Sequence, residues 1–199
     1  MQFVLVLAYP LLAHLAVTLH IPWLQALALI VLALGVLYRA LWEKSRFAWI
    51  FFSVFSALCI TASVWNAAIY LLYLPPILIP LLFWSVFFRS LLPGKEPLVT
   101  HIGEQARGPL SVDMRIYTRK VTIMWTVMFA LIASWSALLP WLASPALWSL
   151  FTNVINYVLV GALFALEFLY RKYRFRDHDH PSFYQYLRIV INANVREGQ

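Results

Sequence analysis

The sequence predicts an all-α, polytopic integral membrane protein with six transmembrane helices. Both termini are expected inside, with short amphipathic helices on the cytoplasmic side. Three observations predict this. The chain is 63% hydrophobic and 12% charged, where a soluble domain is about 45–50% apolar and about 25% charged. That excess cannot be hidden within 199 residues, so lipid has to be the solvent for most of it. All fifteen Lys and Arg fall in three patches, 39–46, 89–120 and 171–196. The apolar stretches between the patches contain one acidic residue, Glu167.

A helix that crosses the hydrocarbon core needs roughly 17–25 mostly apolar residues. Six stretches qualify: 2–19, 23–41, 47–64, 67–91, 121–139 and 148–170. The first begins without a basic leader or a small-residue cleavage site, so it is read as a retained span. His20, Ile21 and Pro22 separate the first two spans, since Pro lacks the N–H of a helix interior but suits a first turn. Pro75, Pro76 and Pro80 predict that the fourth span is kinked, or that its helix starts near Pro76 after an extended entry. Leu139, Pro140 and Trp141, with Ser144 and Pro145, mark a turn between spans five and six. The chain is read as a single membrane domain over 1–199, without a convincing inverted repeat.

The connections alternate in charge. Segments 20–22, 65–66 and 140–147 carry no Lys, Arg, Asp or Glu. The positive-inside rule puts the basic segments and both termini in the cytoplasm, and an even number of spans satisfies this. Trp23, Trp65, Trp141 and Trp148 fall at the uncharged turns, where their amphipathic rings suit the outer interface. The expected location is a bacterial inner membrane.

Within loop 92–120, Glu96-Pro97 is expected to open a short helix with Leu98, Ile102 and Ala106 on one stripe. Gly108-Pro109 breaks it, and Ser111 caps a helix that can run unbroken into span five. In the tail, Ser182 can cap a helix whose Phe183, Tyr186, Leu187, Val190 and Ile191 form an apolar face.

The polar residues supply the candidate sites. Arg107, Arg115, Arg119, Lys120 and Arg174 can form a basic platform for phosphates or an acidic partner. The same residues are also expected as topology determinants at anionic lipid. Glu167 precedes Arg171 by one turn and is expected to pair with it. The other reading is a carboxylate facing a cavity, for proton relay or a polar substrate. His14, deep in span one, is expected to hydrogen-bond a neighbouring helix, as are Asn153 and Asn156. His101, His178 and His180 are the candidate bases for interfacial chemistry. His178 and His180, with Asp177 and Asp179, have metal-binding chemistry that His101 and Glu104 would have to complete. The run lacks the spacing of a closed site, so no metal or cofactor is assigned. Cys59 has no Cys partner for a disulfide or a thiolate site. No phosphate loop, nucleophile elbow or HExxH motif occurs.

GPLSVDMRIYTRKVTIMW (108–125), NVINYVLVGALFALEFLYRKYRF (153–175) and HPSFYQYLR (180–188) resemble a family of small bacterial inner-membrane proteins. Genes of that family lie beside acyl carrier protein, acyl-activating ligase, dehydratase and ketosynthase genes, in clusters making aryl polyene or related lipid-like pigments. The resemblance covers about the last hundred residues. It implies a role near lipid or polyketide assembly and carries over no catalytic residue. The expected function is a non-catalytic anchor or adaptor for cytosolic acyl-chain enzymes. Its partners would be anionic lipid and an acyl carrier protein or acyl-activating ligase, not nucleic acid. The alternatives are a transporter or flippase of a lipid-like product, then a membrane enzyme acting on acyl chains.

Overall fold

The computed structural model describes residues 2–175, which are helical throughout apart from short connections. In order they are α1 (Gln2–Thr18), α2 (Pro22–Trp42), α3 (Arg46–Val64), α4 (Ala68–Leu72), α5 (Pro75–Ser90), α6 (Leu98–Arg107), α7 (Val112–Leu142), α8 (Pro145–Leu150) and α9 (Asn156–Arg174). A π-helical turn, Phe151–Ile155, joins α8 to α9. Five segments are long and apolar enough to cross a membrane: Pro22–Trp42, Arg46–Val64, Ala68–Ser90, Val112–Leu142 and Pro145–Arg174. Gln2–Thr18 is apolar but shorter. This architecture is compatible with a polytopic membrane protein.

The helix boundaries have local causes. Pro22 occupies the first turn of α2, where its missing N–H leaves no orphan. Ser45 and Ser144 accept the N–H groups of Ala48 and Leu147 at the starts of α3 and α8. His20, Lys44 and Asn66 follow the ends of α1, α2 and α3 with φ of 56°, 55° and 56°. At each end the next amide reaches back five residues, Ile21 to Ala16, Ser45 to Ala40 and Ala67 to Ala62. These are Schellman terminations built without glycine. They satisfy carbonyls that an apolar solvent would leave unpaired.

Two turns differ from the sequence expectation. The chain before Pro75 is a short helix, α4, and the break falls at Tyr73–Leu74, because Pro disfavours helical backbone in the residue before it. Pro140 lies inside α7 rather than in a turn, and the connection is Ala143–Ser144. Pro140 deletes one amide only two residues before the helix ends, so the helix tolerates it.

The chain forms two compact units. The first holds 1–78 and 134–158. In it α1 packs along α2 and α2 along α3. Tyr9, Ala13, Val17, Ala26, Leu29, Cys59, Leu72 and Trp148 make its core. The α1–α2 approach is close: a Cβ on Gly35 would stand 2.9 Å from Val6 Cγ2 and 3.1 Å from Leu5 Cβ. Glycine is used there so that two backbones can come together. Trp148 departs from its expected interfacial place. It is 0% exposed, and its ring meets Tyr73 edge-on at 4.6 Å. Because α8 begins at Pro145, Trp148 lies one turn inside the helix and faces the core. Trp23, Trp65 and Trp141 are exposed.

The second unit holds 79–133 and, among the described residues, 159–175. Its core is aromatic: Val121, Trp125 and Phe129 of α7, with Trp84, Phe87 and Phe164 against them. Phe83 stacks on Phe129 at 5.2 Å, and Trp125 on Phe129 at 5.5 Å. Helix α6 also docks in this unit. Leu98 and Thr100 are buried, whereas Ala106 is exposed. Along the expected stripe Leu98, Ile102, Ala106, burial falls off from a buried first residue through a half-buried second to an exposed third.

Candidate functional site

Helix α6 has no side-chain cap at Pro97, so its first amides need outside partners. Ser90 Oγ accepts from the Leu98 N–H at 3.0 Å, and Thr122 Oγ1 from the Val99 N–H at 3.3 Å. Thr100 and Thr118 share a hydroxyl–hydroxyl bond of 2.7 Å. Thr118, Thr122 and Thr126 recur every turn along α7, each hydroxyl donating to the carbonyl four residues back, at 3.0, 2.9 and 2.8 Å. That leaves each oxygen able to accept a bond from α6.

A charged clamp bridges the two ends of α6. Arg115 donates to Glu104 Oε1 through Nε at 2.8 Å and to Glu96 Oε1 through a terminal nitrogen at 3.2 Å. The Leu110 N–H also donates to Glu104 Oε1, at 3.3 Å. The bond from Arg115 holds the Glu104 carboxyl below its ordinary value of 4.5. His101 Nδ1 meets Glu96 Oε2 at 3.2 Å, and its Nε2 meets the Gln105 amide nitrogen at 3.1 Å.

Arg115 is engaged by two carboxylates of its own loop. Arg119 and Lys120 are exposed on the next turns of α7. Arg107 closes α6. The guanidinium of Arg174 lies 5.6 Å from the centre of the Phe175 ring.

Glu167 is buried in α9, and its expected partner is present. Arg171 Nε lies 3.7 Å from Glu167 Oε1, with side-chain exposures of 14% and 4%. The sequence did not indicate the third member: Tyr117 donates its hydroxyl to the same oxygen at 3.1 Å, from 50 residues away. The Tyr117 ring is itself held between Tyr170 at 5.9 Å and Phe175 at 5.3 Å.

In the first unit His14 meets its neighbouring helix as expected. Its Nδ1 and Ser149 Oγ share a bond of 3.2 Å. Asn156 joins two helices: Trp135 Nε1 donates to its Oδ1 at 2.9 Å, and its Nδ2 donates to Ser136 Oγ at 3.3 Å. Asn153 differs. Its amide donates to Ser149 and Thr152 of its own segment, at 3.2 and 3.4 Å, and its Oδ1 is buried without a partner. The π turn carries Asn153, and Asn156 opens α9 directly after it; such turns are frequent at functional sites.

Among the described residues no three His, Cys, Asp or Glu side chains gather for a metal. His101 turns to Glu96 rather than to Glu104. His178, His180 and the tail helix expected after Ser182 lie outside the described residues. No family profile matches this chain, and no curated protein or solved structure matches it.

Proposed function

We propose that the chain is a six-span protein of a bacterial inner membrane that anchors cytosolic acyl-chain assembly enzymes. Its basic segments and both termini face the cytoplasm. The α6–α7 platform is the observation that supports the anchor reading. A loop that merely linked two spans would not need its amides capped by Ser90 and Thr122 or its ends clamped by Glu96, Glu104 and Arg115. Helix α7 has 31 residues, about 46 Å of rise against about 30 Å of hydrocarbon. A helix of that length has turns to spare beyond the hydrocarbon, and α6 is fixed to its first turns. Arg119 and Lys120 are exposed there, suited to steer an acidic partner. The family resemblance suggests an acyl carrier protein or an acyl-activating ligase as that partner. Binding of a purified acyl carrier protein to the full chain in nanodiscs tests the reading. We expect affinity to fall with salt, and R119Q/K120Q to weaken binding and flatten the salt dependence. Equal binding by that variant contradicts the electrostatic docking.

The buried Glu167, held by Tyr117 and Arg171, favours one second reading, a transporter of a lipid-like product. E167Q would then abolish export at normal protein level. Normal export removes this reading's support.

A further inference from the structure

Along the outer face of α7 lie Val112, Ile116, Arg119, Lys120, Ile123 and Val127. At 100° per residue these positions fall within about a 100° arc. The opposite arc carries Met114, Thr118, Val121, Thr122 and Trp125, all buried, so α6 and the aromatic core take the other side. Ile123 and Val127 are exposed apolar residues that match lipid. Val112 and Ile116 are also exposed, at 74% and 52%, but they lie on the far side of the two cations. From Lys120 to Val112 the helix rises about 12 Å, whereas the headgroup layer of one leaflet is roughly 5–7 Å deep. With Lys120 at the hydrocarbon edge and the helix upright, Ile116 would fall at the outer edge of that layer and Val112 beyond it. Two exposed apolar side chains beside two exposed cations at that height suit an interaction surface.

We infer that Val112, Ile116, Arg119 and Lys120 form a landing strip for an acidic, amphipathic helix of a cytosolic partner. This rests on the anchor reading and its topology, and it deepens that reading by locating the surface. The partner's apolar ridge meets Val112 and Ile116, and its carboxylates meet Arg119 and Lys120, in the manner of a helix laid along a helix. Charge selects this occupant. Residues 176–199 carry three cations and three anions, so the chain's own tail is not complementary to the strip. A second copy would set cations against cations. Asp113, beside the strip on the first turn, favours the positive end of the α7 dipole and leaves the two cations one to two turns further on.

Two measurements on the full chain test this. In neutral phosphatidylcholine nanodiscs, V112C and I116C should react with an impermeant maleimide as fast as K95C, with buried Cys59 silent. Protection of both positions overturns the inference. If removal of 176–199 lifts the protection, the strip belongs to the tail, and the inference is equally overturned. In the binding assay, V112S/I116S should weaken acyl carrier protein binding about tenfold, as loss of a central apolar anchor does. V112I/I116V should bind like the parent chain. Undiminished binding by V112S/I116S overturns the strip but leaves the anchor reading standing. No binding by the parent chain overturns both.

Discussion

The backbone N–H of Val99 donates to the hydroxyl of Thr122, 3.3 Å away. Thr122 is fully buried, and its own hydroxyl donates to the Thr118 carbonyl at 2.9 Å. One hydroxyl therefore closes a turn of α7 and replaces the missing cap of α6. Thr122→Val keeps the shape and removes the acceptor. We expect it to cost about 1–2 kcal/mol, the desolvation of an unpaired amide. Hydrogen exchange should quicken in α6 and leave the second half of α7 unchanged.

The clamp that bridges the two ends of α6 responds to acid. Glu104 titrates below 4.5 in the fold because Arg115 stabilises its charged form. Its contribution is therefore complete above the unfolded value and is lost as pH falls through the lowered folded value. Protection of the α6 amides, taken relative to their intrinsic exchange rate at each pH, should be constant from neutral pH to about pH 5 and fall below about pH 4. E104Q should exchange faster at neutral pH and lose that acid step.

Asn153 and Asn156 stand three residues apart but should respond differently. N156L removes the bonds to Trp135 and Ser136 across two helices. We expect about 1–2 kcal/mol of destabilisation in detergent unfolding, and coupling of about 0.6 kcal/mol or more to W135F. N153L removes bonds inside one segment and a buried carbonyl oxygen without a partner. It should be neutral or stabilising.

Trp148 and Trp141 make a similar pair. Trp148 fills the first unit and Trp141 is exposed. W148A should cost about 3–5 kcal/mol through the cavity it leaves. W148F keeps much of the volume and removes a ring N–H that has no partner, so it should cost far less. W141A should leave the unfolding temperature unchanged within error.

Glu167 couples two helices of the second unit. E167Q keeps an acceptor for Tyr117 and removes the charge beside Arg171. We expect a loss of about 3 kcal/mol, in the range for breaking a buried ion pair. Y117F removes one hydrogen bond and should cost about 1 kcal/mol. The double variant should cost less than the sum, because both act on the same oxygen.

Hydropathy and punctuation made the elements legible. Pro22, Ser111, Gly108 and the charged runs mark where helices start and stop, and Ser111 does cap α7 through the Met114 N–H at 3.4 Å. The Glu167–Arg171 pair and the bond of His14 to another helix were legible too, because an ionisable group among apolar residues needs a partner. Neighbours were not legible. Lipid is as apolar as leucine, so an apolar pattern cannot separate a packed face from a lipid face. In α3, Ala48 and Cys59 are buried while Phe47, Trp49, Val54 and Leu58 are exposed. The same ambiguity placed Trp148 at an interface. Partners far along the chain, such as Thr122 for Val99, Tyr117 for Glu167 and Glu104 for Arg115, leave no local signal. The left-handed residues His20, Lys44 and Asn66 were hidden because no glycine announces them.

The proposed six-span threading is tested most directly by single cysteines at Asn66 and Ser144, compared with Lys95 and Gly108, in intact cells. An impermeant maleimide added outside should label Asn66→Cys and Ser144→Cys and should reach Lys95→Cys and Gly108→Cys only after the membrane is opened. Labelling of Lys95→Cys or Gly108→Cys from outside, or protection of either uncharged turn, would contradict the topology on which the anchor reading stands.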